Sequence, residues 1–186
     1  MNYNTSNAPA ISYRNRQIEA SFVNHCIFEI KKPANCSIAE LHQFYILLKK
    51  GNKVSLTNLH EKILSAKYLG FCYHNKKLIG ISAIKKPTKA YIQAIHEKAG
   101  IIRNIHNNFL EIGYSFTREE FREKGISSNL KRMLFEKIHL YKGILFSTTA
   151  TPSSQRFLKA NGFNSCGNVY QGIFDDSIAY FERSYK

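Results

Sequence analysis

Acidic residues are scarce in this chain: 13 Asp and Glu stand against 27 Lys and Arg in 186 residues, a formal charge of +14. Tryptophan is absent from an otherwise ordinary globular composition. No apolar run approaches the roughly 18 residues that a membrane-spanning helix needs, so no such span is expected. The four cysteines, Cys26, Cys36, Cys72 and Cys166, include no pair at metal-ligand or redox spacing. That pattern excludes a zinc ribbon or a dithiol motif, and it predicts reduced thiols in an intracellular, cytoplasmic protein without a bound metal. The first residues are polar and lack the apolar core of a signal peptide, so none is expected there. The shortage of acid favours an acidic partner: a nucleic acid, a phosphorylated cofactor or an anionic surface. A coding bias toward Lys, Asn and Ile produces the same charge without any such partner, and both readings stay open.

The length predicts one domain with a sizeable core. Residues 1–20 have no periodicity and read as a flexible lead before a domain over 21–186. Alternation of Phe22, Cys26, Phe28 and Ile30 predicts a first strand from Ser21 to Lys31. Ser37 and Glu40 form a capping box for a helix that Gly51 stops. A second helix is expected from near Ser55 or Thr57, carrying Leu56, Leu59, Ile63 and Ala66. Strands Leu69–Tyr73 and Lys77–Ile84 flank a tight polar turn and read as a hairpin. Next comes a helical insert around residues 86–108, capped by Thr88 and stopped by Gly100. Between Lys76 and Asn107 seven basic residues face one acid, Glu97. The insert reads either as a solvated packing element or as a basic wall beside a substrate entrance.

The most informative stretch is Phe109–Tyr141. A buried strand, Phe109–Phe116, feeds a charged loop that closes on Gly125, and a helix with an apolar stripe of Ile126, Leu130, Met133, Leu134 and Ile138 follows to Leu140. The first N–H groups of a helix lack internal acceptors, so a loop that delivers backbone there makes an anion pocket. Gly143–Thr149 reads as the parallel strand expected after a crossover helix. Thr151 and Pro152 start another helix that ends at Gly162 and Phe163. Strands Val169–Phe174 and Ile178–Arg183 close the chain.

The segment Thr117-Arg118-Glu119-Glu120-Phe121-Arg122-Glu123-Lys124-Gly125-Ile126-Ser127 resembles the acyl-CoA loop of the GNAT superfamily of N-acetyltransferases, written V-x-P-x-[YF]-[RQ]-x-x-G-[IL]-[GA]. Thr151–Phe163 resembles that family's late helix ending in Gly-Phe, and the element order from Phe22 to Tyr185 follows the same plan. The resemblance implies an α/β fold: a mixed, mainly antiparallel sheet with a central parallel, splayed strand pair, flanked by helices. It implies acetyl-CoA as co-substrate, with the pyrophosphate on the backbone around Gly125 and charge from Arg122 and Lys124. Phe116, Thr117, Glu123, Ile126, Ser127, Ser128, Thr151 and Phe157 complete the implied cofactor-binding set. The loop departs from the pattern at Glu119, Glu123 and Ser127. In the late helix Leu158 stands where many relatives carry a general-acid Tyr, and Thr151 where they carry Asn.

The implied reaction is direct attack of an amine on the acetyl thioester, with an oxyanion held by a backbone N–H near Phe116. Glu111 is the candidate base, acting through water, and Tyr170 the candidate acid in place of the missing Tyr. Tyr114 is another candidate, and Ser147, Thr148 and Thr149 are candidates for hydrogen bonds to ligand. The acceptor is left open among a small amine, a protein amine and an aminoacyl-tRNA, the last with RNA contact as in a toxin-like branch of the family. A homodimer is also left open. The competing reading is a catalytically weak, GNAT-like binding module that uses a basic face to hold nucleic acid or protein.

Overall fold

The computed structural model describes residues 21–105 and 108–186. The lead over residues 1–20 lies outside them. Strand β1 (Ile27–Lys31) is followed by helices α1 (Ile38–Lys50) and α2 (Leu59–Leu64), then by the hairpin β2 (Tyr68–His74) and β3 (Lys77–Lys85). Helix α3 (Lys89–Ala99) precedes β4 (Phe109–Thr117), and α4 (Ile126–Lys137), β5 (Gly143–Thr149), α5 (Pro152–Ala160), β6 (Asn164–Tyr170) and β7 (Ile178–Tyr185) complete the order. The seven strands form one sheet in the order β1-β2-β3-β4-β5-β7-β6. Every neighbouring pair is antiparallel except β4 and β5. The expected mixed sheet with one central parallel pair is therefore present.

Local chemistry explains most boundaries. The Ser37 hydroxyl accepts from the Glu40 N–H at 3.2 Å while the Glu40 carboxylate accepts from the Ser37 N–H at 2.7 Å, closing the capping box at the start of α1. Asn75 and Lys76 both adopt positive φ, the geometry that a two-residue hairpin turn demands. Thr88 caps α3 by accepting from the Tyr91 N–H at 3.2 Å, and Gly100 ends it at φ +65°.

Four boundaries differ from expectation. The first strand begins only at Ile27, because Phe22 and Cys26 lie four residues apart, a spacing that also fits a helical turn. The Cys26 N–H donates to the Val23 carbonyl and its thiol to the Phe22 carbonyl. Helix α2 starts at Leu59 because Asn58 sits at φ +52°, which no continuing helix accommodates; Leu56 is exposed. Helix α4 stops at Lys137, leaving Leu140 in solvent. The sixth strand is Asn164–Tyr170 rather than Val169–Phe174. Among the described residues it is an edge strand paired only with β7, so it needs no apolar alternation, and Ile173 and Phe174 belong to the exposed loop after it.

Apolar clusters cover both faces of the sheet. Helices α1 and α2 bury Phe44, Leu47, Leu59 and Ile63 against Leu69, Phe71, Leu78 and Ile81. On the same face, α3 contributes Ile92, Ile95 and Ala99 against Phe109, Phe146 and Tyr180. The opposite face takes α4 and α5, whose Leu134, Phe135 and Leu158 pack with Ile84, Leu110, Ile112 and Leu145. Each large side chain buried this way contributes about 1.5–3 kcal/mol. Leu158 is wholly enclosed in that layer, and its neighbour Phe157 is partly buried at the edge.

Candidate functional site

The site begins where a ladder stops. Parallel pairing between β4 and β5 covers only Phe109–Ile144, Leu110–Leu145 and Glu111–Phe146. Both strands continue beyond those pairs, β4 to Thr117 and β5 to Thr149, so their C-terminal halves splay apart. Backbone N–H and C=O groups on the facing edges are left for a ligand or solvent.

An irregularity in β4 widens the gap. Against β3, Ile81 pairs with Phe116 but Ala83 pairs with Gly113, so β4 carries one residue more than its partner, a β-bulge. Tyr114 within it adopts φ +51°, a left-handed conformation costly for a residue with a side chain. The Ser82 hydroxyl holds the bulge, 2.8 Å from the Ser115 hydroxyl and 3.3 Å from the Gly113 carbonyl.

A cleft of about 350 Å³ occupies the splay. One wall is the bulged end of β4, Ile112 to Phe116, and the other is Ser147 to Thr151. Arg122, Lys131 and Ser154 line it on the α4–α5 side, and Gly51, Lys53 and Asp175 on the α1 side. Gly51 is required there, since a Cβ would lie 2.9 Å from the Phe116 ring.

The loop between β4 and α4 closes one end of the cleft. Arg118 anchors it to β3, donating from its backbone N–H to the Ile79 carbonyl at 2.9 Å and from Nε to the Leu78 carbonyl at 2.8 Å. Gly125 precedes α4 at φ +74°, and among the described residues no side chain caps the helix. The first N–H groups of α4 therefore stay free to meet an anion, in the Gly125–Ser128 segment implied by the sequence. Gly80 lets the helix approach: a Cβ there would sit 2.6 Å from Ile126 Cγ2. Glu119, Glu120 and Glu123 are all exposed, with Glu119 3.5 Å from the Arg122 guanidinium and Glu120 3.4 Å from the Lys77 ammonium. Lys124 donates to the Glu120 carbonyl at 3.1 Å and lies over the Phe22 and Phe121 rings.

Among the sequence-selected residues, Phe116, Arg122 and Thr151 line the cleft itself, while Thr117 and Glu123–Ser128 build its loop end. Phe157 lies behind, under the Lys131 and Arg132 cations. Glu111 and Tyr170 do not line the cleft. Glu111 is buried on the α3 face, ion-paired with Lys85 at 2.6 Å, and accepts from the Tyr91 hydroxyl at 3.4 Å. Burial, followed by the Glu111 charge, raises the Tyr91 phenol. Tyr170 and Tyr114 are each pushed up to about 12, mainly by burial, so both phenols stay protonated at neutral pH. Tyr170 lies beside Thr148, which does line the cleft.

Sequence reasoning missed Lys131. Burial alone lowers its ammonium to about 8, and among the described residues its side-chain hydrogen bond is to Ser154 Oγ at 3.5 Å. The one signal available was a lysine on the flank of the α4 stripe, four residues before the buried Phe135.

The same architecture recurs in solved structures. ElaA of Escherichia coli superimposes with a TM-score of 0.65 at 14% identity, over 86% of this chain and 99% of that one. An acyl-CoA N-acyltransferase from Pseudomonas aeruginosa gives 0.63 at 16%, over 86% and 99%. A GNAT-family acetyltransferase from Streptococcus agalactiae gives 0.59 at 17%, over 86% and 96%. The chain has the GNAT fold. No protein-family model and no curated protein matches it in sequence. The likeness to GNAT proteins therefore lies in backbone architecture, at identities too low to carry over a substrate.

Proposed function

We propose that the protein is an acyl-CoA-dependent N-acyltransferase, with acetyl-CoA as donor and an amine as acceptor. The observation that carries this reading is the splay of β4 from β5 beside an uncapped helix N-terminus at Gly125. The pyrophosphate would take the free N–H groups of α4, with charge from Arg122. The pantetheine arm would use the unpaired edge of β4 near Tyr114–Thr117, in the manner of an added strand. The thioester would then lie at the bulge, and a backbone N–H near Phe116 would meet the developing oxyanion.

Glu111 keeps its proposed role as base only through water, since its carboxylate is held by Lys85. Tyr170, protonated and beside Thr148, is the proposed acid. Holding amine and thioester in register supplies much of the rate in such a transfer. The basic composition supports an acceptor that is itself anionic or attached to a polyanion, aminoacyl-tRNA included. One solved structure with this fold is the ribosomal-protein-S18-alanine N-acetyltransferase of Escherichia coli, which makes a protein amine an equal candidate. A cytoplasmic location and a homodimer belong to the same proposal.

Calorimetry with acetyl-CoA tests the reading. Binding at submillimolar concentration is expected, and Gly125→Val should weaken it at least about tenfold by straining φ and crowding the helix start. No heat from the wild-type protein would overturn the donor assignment, and unchanged affinity in the variant would overturn the loop assignment. The second reading, a binding module without turnover, draws on Leu158, which is buried in the core and offers no acid. Binding of acetyl-CoA without transfer to small amines, a lysine peptide or aminoacyl-tRNA would favour it.

A further inference from the structure

Lys131 is the group in the cleft that the proposed reaction leaves unused. It projects from the second turn of α4 across to the first turns of α5, and its residue is 7% exposed. Its Nζ lies 3.5 Å from Ser154 Oγ and 5.3 Å from the Phe157 ring centroid. Among the described residues no carboxylate comes within 4.0 Å of it, and burial is the sole cause of its lowered basicity. The carboxylate that does line the cleft, Asp175, is itself paired with Lys53 at 2.6 Å, and Arg122 lines the same cleft. A buried ammonium without a counter-charge is strongly unfavourable unless a ligand supplies one.

We propose that Lys131 is a specificity-determining residue that pairs with a negative charge at the reacting end of the donor. The charge is either a carboxylate on the acyl group or the thiolate left when the acyl group departs. The proposal rests on the donor reading above. Exposure separates this role from phosphate binding: the Arg122–Ser128 loop, where phosphates would lie, is half-buried or exposed apart from Ile126, whereas Lys131 is enclosed beside the Ser147 wall. The Ser147, Thr149 and Ser154 hydroxyls complete a polar floor suited to such an anion.

The test is calorimetric binding of desulfo-CoA, CoA, acetyl-CoA and malonyl-CoA to the wild-type protein and to Lys131→Met, which keeps the volume and removes the charge. Lys131→Gln serves as a second variant should the first fail to fold. If the anion is an acyl carboxylate, malonyl-CoA binds the wild type at least about tenfold tighter than acetyl-CoA, and the variant loses that preference. If it is the thiolate, CoA binds tighter than desulfo-CoA, increasingly so as pH rises toward 8, and the variant abolishes that difference. Desulfo-CoA affinity is expected to be the same in both proteins. Loss of desulfo-CoA binding in the variant would assign Lys131 to the phosphate or pantetheine part and overturn the proposal. Equal affinities of the wild type for all four ligands would overturn it as well. Failure of every ligand to bind the wild type would overturn the donor reading, and this inference with it.

Discussion

Lys85 and Lys131 carry their ammonium groups into the interior from opposite faces of the sheet, one beside each side of the splayed pair. Lys85 extends from β3 to a carboxylate 2.6 Å away on the neighbouring strand, Glu111, and lies over the Tyr114 ring. Among the described residues Lys131 reaches only a neutral hydroxyl and an aromatic face, and burial lowers it to about 8. The first charge is compensated within the fold and serves to hold β4 beside its bulge. The second is left uncompensated, which is the usual mark of a group kept for a ligand rather than for stability. A comparison of this kind locates the functional charge better than net charge does, because +14 spread over a surface says nothing about which cation lacks a partner.

Breaking the compensated pair should have the largest effect. Glu111→Ala strands a buried Lys85 and is expected to cost about 3–5 kcal/mol, read from urea unfolding midpoints. A loss below about 1 kcal/mol would show that Lys85 escapes to solvent and that the two lysines are less different than they look.

Removing the uncompensated charge should act the other way. Lys131→Met is expected to stabilise the unliganded protein by about 1–3 kcal/mol at pH 7. The sign with pH follows from a folded value below the unfolded one: between about 8 and 10.5 the unfolded chain binds the extra proton. Wild-type stability should therefore rise relative to the variant as pH climbs through that window, measured as a narrowing gap in thermal midpoints. A gap independent of pH would mean that Lys131 has the same pKa folded and unfolded, so that its burial does not disfavour the charged form.

Ser37→Ala, in a cap remote from both lysines, should cost only about 1 kcal/mol and show no pH dependence near 8. It calibrates the two larger changes. Smallest of all should be the double change Lys85→Met with Glu111→Leu, since a buried ion pair replaced by apolar side chains of similar volume is often close to neutral. If the double variant is as unstable as Glu111→Ala, the pair is doing more than cancelling its own burial cost.

Much of the fold was legible because its signals are local. The Ser37 box, the Asn75-Lys76 turn, the Thr88 cap and the glycines at 100, 125 and 162 act within a few residues of themselves. Misreadings fell where two periods coincide, as for Phe22 and Cys26, or where an edge strand carries no apolar pattern, as for β6. At the site, the Gly125 loop and the parallel pair were readable from a strand, a loop and a helix in succession. Lys131 was not, because its importance comes from the depth at which α4 packs against α5.

The sequence by itself determined the element types, most of their caps and the glycine that opens α4, since backbone dihedral preference and nearest-neighbour hydrogen bonding fix these. Tertiary structure alone decided where β4 parts from β5, that Tyr114 takes a left-handed bulge, that Glu111 meets Lys85 and that Lys131 meets no carboxylate among the described residues. Each of those depends on the register between strands or on the spacing between helices far apart in the chain. A charge acquires or loses its partner only once that packing is complete.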